Sequence, residues 1–96
     1  MRGRGPDRVS VLVRYWASAR EAAGVAEERV ETPGGATLAG VLAEVRARHA
    51  ASPRFGRVLG VCSVLVDGVP AGRQDPATVR LADGAEVDLL PPFAGG

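Results

Sequence analysis

The plainest chemical handle in this chain is the run Pro91-Pro92-Phe93-Ala94-Gly95-Gly96. Proline fixes φ and favours an extended path, so the run is expected to leave the folded body in a defined direction. Gly95 and Gly96 lack a Cβ, so they pass a narrow channel and accept dihedrals closed to other residues. Extended, the run spans roughly 20 Å, enough to enter another protein's active site. The carboxylate expected on Gly96 is a poor electrophile until it is activated, and activation would open its carbonyl to attack.

Other candidates are few. The chain has one histidine and one cysteine. Cys62 cannot form an internal disulfide, and its place in the apolar run Val61–Val66 predicts a small buried hydrophobe in a reducing, cytoplasmic setting. His49 closes a helical apolar stripe and reads as a partly buried histidine rather than a base for a serine nucleophile. The two are far apart in sequence, and neither Cys-x-x-Cys nor His-Glu-x-x-His occurs, so no metal site is expected. All twelve positions counted as Lys+Arg are arginine. Without lysine a Gly-x-x-x-x-Gly-Lys phosphate loop is impossible, and no Gly-x-Gly-x-x-Gly follows a strand. No stably bound cofactor is expected.

The elements that must position the run follow from periodicity. Val9–Trp16 is β-branched and aromatic and predicts a first strand, with Val9, Val11, Val13 and Tyr15 on one face. Ala17–Gly24 reads as a short helical turn, with Ser18 as a possible cap and Gly24 as its end. Glu27–Thr32 predicts a second strand. Thr37 is placed to cap the main helix, in which Leu38, Val41, Leu42, Val45 and His49 share a stripe, ending before Ser52-Pro53. Val58–Asp67 predicts a strand that meets an Asp67-Gly68 turn, Thr78–Leu81 a short strand, and Glu86–Leu90 the last strand. One main helix covering one face of a mixed sheet of about five strands is an α+β architecture. Residues 1–8 are expected to be a flexible tail, 9–90 one domain and 91–96 an extended tail.

Composition excludes several classes. A chain of 96 residues is one domain. Hydrophobic residues at 46% and charged ones at 24% describe an ordinary globular domain. No apolar run approaches the roughly 20 residues of a membrane span, and a net charge of +1 gives no case for nucleic acid.

Three stretches carry a likeness to a known family: Arg14–Gly24, Leu81–Val87, and the ending Leu90–Gly96. In these the chain resembles the ubiquitin-like sulfur carriers, and among them the small subunits of molybdopterin synthase. The resemblance implies a β-grasp fold and a chemical cycle. An E1-like adenylating enzyme would use ATP to activate Gly96. A sulfur donor would then convert it to a thiocarboxylate, and a larger catalytic subunit of molybdopterin synthase would take up the tail residues Pro91, Pro92, Phe93, Ala94 and Gly95 and pass the sulfur to a pterin precursor. The chain would be a protein cosubstrate rather than an enzyme alone. Tyr15 and Trp16 stand where many relatives carry two phenylalanines, and carriers for thiamine thiazole or other sulfur products share the Gly95-Gly96 ending.

Strand parity makes a separate expectation. With the valines of the first strand facing the helix, Leu12, Trp16, Leu65 and Leu90 face away and form an apolar partner surface, with Trp16 as anchor. Arg14 and Arg20 would pair with acids on the partner's rim or remain solvated. Two other functions stay open: a protein modifier attached through Gly96, which without lysine could not build side-chain-linked chains of itself, and a plain interaction domain.

Overall fold

The computed structural model describes residues 7–92. Strands β1 (Arg8–Tyr15), β2 (Glu27–Pro33), β3 (Ser63–Val66), β4 (Val69–Pro70) and β5 (Glu86–Leu90) form one sheet in the order β2-β1-β5-β3-β4. Helices α1 (Ala17–Ala23), α2 (Leu38–Arg48) and α3 (Pro53–Leu59) lie in the connections. β1 and β5 run parallel at the centre and the remaining neighbours are antiparallel. This is the α+β, β-grasp arrangement anticipated above. Among the described residues no helix is long and apolar enough to cross a membrane.

Local sequence explains most element boundaries. The Thr37 hydroxyl accepts the Gly40 N–H at 3.2 Å and starts α2. Gly24 takes φ 79° and ends α1 in the left-handed region that glycine reaches without cost. Asp67 at φ 51° and Gly68 at φ 82° form the two-residue turn that pairs Val66 with Val69. The core lies between the sheet and the helices. Val9, Val11, Val13 and Tyr15 are buried with Val30, Val87 and Leu89 against Leu38, Val41 and Val45 of α2.

Several expectations are corrected. β1 starts at Arg8, which pairs with Pro33, so this arginine leaves the N-terminal tail. β1 also stops at Tyr15: Trp16 occupies the N-cap of α1 and no side chain caps that helix, which removes Ser18 from the role. The largest departure is α3. The sequence alone places Ser52-Pro53 only after a helix, but the Ser52 hydroxyl accepts the Phe55 N–H at 3.2 Å and Pro53 fits the first helical turn. Phe55 and Leu59, four apart, then bury one face of a new helix. Val58 is therefore helical, and the strand shrinks to Ser63–Val66. Cys62 sits half-buried in the turn between them, where its Sγ donates to the Val58 carbonyl at 3.2 Å and burial pushes the thiol pKa up. Thr78–Leu81 forms no strand; a 3-10 turn spans Pro76–Thr78, and a single bridge joins Arg80 to Thr37.

His49 closes the helix side of the core. It stacks on Phe55 at 4.3 Å between ring centroids and meets the Tyr15 ring edge-on at 6.0 Å. Its Nε2 contacts the Glu28 carboxylate, which also accepts the Tyr15 hydroxyl at 2.9 Å and the Arg48 guanidinium at 3.4 Å. Burial alone would raise the Glu28 pKa, but these hydrogen bonds together hold it below the usual value. Burial and the bond to Glu28 push the Tyr15 phenol pKa far up. Among the described residues every buried side-chain nitrogen and oxygen has a partner.

Candidate functional site

The Pro-Pro run is rooted on the central strand. β5 is paired with β1 as far as Leu89 and with β3 as far as Leu90, so its C-terminal end is held on both sides up to the last residue. Pro91 follows half-buried and Pro92 exposed. Phe93, Ala94, Gly95 and Gly96 lie outside the described residues.

Topology decides what surrounds this root. Because β1 is parallel to β5, its C-terminal end arrives at the same edge of the sheet, where the Trp16 N–H donates to the Leu89 carbonyl at 3.2 Å. Because β3 is antiparallel, its first residue, Ser63, pairs with Leu90. The root therefore emerges between Trp16 and the start of β3.

The side chains on the sheet face opposite the core alternate as strand geometry requires. Trp16 is 46% exposed, and Leu12, Leu65 and Leu90 are half-buried. These four do not make an uninterrupted apolar patch. Leu65, Asp88 and Arg14 are successive cross-strand partners, so a carboxylate and a guanidinium lie between Leu65 and the outer strand β2. Leu12 is flanked by Glu86 on β5 and Arg29 on β2.

Asp88 organises this face. It is 8% exposed, and its Oδ1 accepts both Arg14 Nε at 3.0 Å and the indole Nε1–H of Trp16 at 2.9 Å. Arg14 reaches on to Glu86 Oε1 at 2.7 Å. Burial would raise the Asp88 pKa, but the Arg14 and Trp16 hydrogen bonds and the Arg14 charge together hold it below the ordinary range. The same carboxylates raise the Arg14 pKa, the Asp88 hydrogen bond foremost. Arg14 is thus paired within its own chain rather than offered to a partner's acids, while Arg20 is exposed on α1.

The sequence contained a signal for this network. A lone aspartate inside the apolar strand Val87-Asp88-Leu89-Leu90 needs a buried partner, and Arg14 has the matching parity on the first strand. The backbone does the rest: the strand-to-helix corner at Trp16, followed by Ala17 at φ 50°, a costly left-handed conformation for alanine, carries the indole to the Asp88 carboxylate. Among the described residues no group of three or more His, Cys, Asp or Glu side chains is placed to hold a metal ion.

The arrangement brings the root of the C-terminal run out of a central strand bonded on both sides, beside an exposed aromatic ring. Comparisons with known proteins bear on that geometry. The molybdopterin synthase sulfur carrier subunit of Chlamydomonas reinhardtii is 33% identical over 88 residues, covering 92% of this chain and 100% of that protein. The crystal structure of the small archaeal modifier protein 1 of Haloferax volcanii is similar with 29% identity and a TM-score of 0.75, over 91% of this chain and 99% of that one. Subunit 1 or 2 in the complex of the molybdopterin-converting factor from Helicobacter pylori is similar with 25% identity and a TM-score of 0.56, over 92% of this chain and 100% of that one. The ThiS family profile matches residues 13–96, from the middle of β1 through the diglycine. With that span matched, the chain belongs to the ThiS family.

Proposed function

We propose that this chain is a sulfur carrier whose Gly96 carboxylate is adenylated and then converted to a thiocarboxylate, with a pterin precursor of molybdopterin as the destination of the sulfur. The observation that carries the reading is the rooting of the Pro91–Gly96 run on the doubly bonded central strand, next to exposed Trp16. The family match that extends through Gly96 supports it, as does the likeness to a protein named as a molybdopterin synthase sulfur carrier subunit.

The chemistry divides between this chain and its partners. In an adenylating enzyme the Gly96 carboxylate attacks the α-phosphorus of ATP and pyrophosphate leaves. A donor's persulfide then attacks the acyl carbon and expels AMP, giving an acyl disulfide. A second thiol takes the donor's sulfur into a disulfide and releases the thiocarboxylate. Acid, base and oxyanion-stabilising groups belong to the partners on this reading. This chain contributes a slender acyl donor and the surface that docks it, with Trp16, Leu12, Leu65 and Leu90 as contact residues and Pro91, Pro92, Phe93, Ala94 and Gly95 threading the acceptor. The structure of a two-subunit molybdopterin-converting factor supports a larger catalytic subunit as that acceptor.

Intact mass spectrometry of the chain after incubation with its adenylating enzyme, ATP and a persulfide donor tests the reading. One oxygen is exchanged for sulfur at Gly96, and a chain extended beyond Gly96 stays unmodified. A wild-type carboxylate that never changes rules the reading out. The likeness to an archaeal modifier favours a second reading, attachment to target amines through Gly96. Adducts that survive reducing denaturation would select it.

A further inference from the structure

Asp88 is the one buried charged side chain among the described residues, and it lies on the sheet face opposite α2. Stability alone does not account for a carboxylate there, because replacing a buried ion pair by well-packed apolar groups is often neutral or stabilising. Its geometry gives it another task. Oδ1 is shared between Arg14 Nε and the indole N–H of Trp16, while Glu86 holds the far nitrogen of Arg14. The guanidinium thereby fixes the carboxylate, and the carboxylate fixes the indole by its polar edge. What remains exposed is nearly half of Trp16, in one orientation, beside the strand end from which the C-terminal run departs.

We propose that Asp88 is a positioning residue that holds the Trp16 indole as a preformed docking anchor for the acceptor protein that takes up the C-terminal run; the proposal rests on the sulfur-carrier reading. Aromatic anchors dominate many interfaces. An anchor ordered before docking spares the entropy of ordering it then, worth about twofold to tenfold in affinity for one side chain. The effect is assigned to encounter and not to sulfur transfer, because Asp88 and Trp16 sit at the root of the run, six residues before Gly96.

Trp16 is the only tryptophan, so fluorescence anisotropy decay of the full chain reports its motion alone. Asp88→Leu is expected to add a fast component to the decay, whereas Asp88→Asn keeps an oxygen for the indole N–H and restores the wild-type decay. Urea midpoints measured alongside separate this from loss of fold. In sulfur transfer from the thiocarboxylated chain to the large molybdopterin synthase subunit of the same organism, Asp88→Leu should raise KM about twofold to tenfold and leave kcat in place. Trp16→Phe keeps a ring without the N–H and should give the same KM increase even where Asp88→Leu does not fold. Combining the two variants should add nothing further. An indole that stays rigid in Asp88→Leu, a failure of Asp88→Asn to restore the decay, or a KM indifferent to both variants overturns the proposal. A wild-type chain that delivers no sulfur sinks the carrier reading and the docking role with it, and the anisotropy comparison then still decides whether Asp88 orders Trp16.

Discussion

On the helix side of β1 and β5, Val11, Val13, Tyr15, Val87 and Leu89 are each at most 2% exposed. Their alternates Leu12, Arg14, Glu86 and Leu90 keep solvent contact, and Trp16 beyond the strand is 46% exposed. Both faces are laid down by the same two strands with the same pleat. The contrast teaches that one face is committed to excluding water, while the other, still in contact with solvent, can carry charge and an aromatic ring. Changes on the first face should register as stability, and changes at exposed Trp16 on the second chiefly as partner recognition.

The sharpest way to break that division is to cut into both faces and compare. Leu89→Ala should cost about 2–5 kcal/mol, read from urea unfolding, because it opens a cavity at the centre of the core. Should it cost no more than an exposed substitution, the helix-side face is not what holds the protein together. Trp16→Ala should weaken binding of the acceptor subunit by about 2 kcal/mol, measured by calorimetry, with a much smaller change in unfolding. An equal loss of stability would erase the distinction between the faces. At the margin of the core, Thr37→Ala removes the α2 cap and should cost about 1 kcal/mol.

Acid sharpens the comparison from another side, because each face holds one carboxylate with a depressed pKa: Glu28 toward the helices and Asp88 on the opposite face. A group whose folded pKa lies below its unfolded one contributes its stability above the unfolded value and loses it as pH falls through the folded value. The loss should therefore appear below the ordinary values of 4.5 and 3.8, with neutral pH unaffected. Urea midpoints recorded against pH should show a shallower acid limb in Glu28→Gln and in Asp88→Asn, and an unchanged limb would deny either carboxylate its role. The smallest effect belongs to Arg54→Ala. Its pair with Glu21 at 3.2 Å is largely exposed on both sides, so unfolding should shift by no more than about 0.5 kcal/mol.

How much of this was readable in the residues depended on whether the signal was local. The alternation of Val9, Val11, Val13 and Tyr15, the Asp67-Gly68 turn and the Thr37 cap each lie within a few residues and are found in the structure. α3 was not legible because its apolar face is only Phe55 and Leu59, while the Val58–Val66 stretch behind it is rich enough in valine to pass for strand. The candidate site divided in the same way. The exposure of Trp16 is expected from parity, but its place beside the C-terminal run depends on β1 lying parallel to β5, which order along the chain does not specify. The charges that interrupt the apolar residues around it depend on Arg14 and Asp88, 74 positions apart, meeting across a parallel pair that periodicity within one segment does not specify. The family resemblance pointed to the chemistry of Gly96 and said nothing of this network.

The central position of β5 has a mechanical corollary. A pull on the C-terminal run directed along the strand axis would load the ladders to β1 and β3 together, in shear. Hydrogen bonds loaded this way resist in parallel, whereas those of an edge strand unzip one at a time. Such a pull would leave the globule intact, like a tool whose shank is clamped on both sides of its handle.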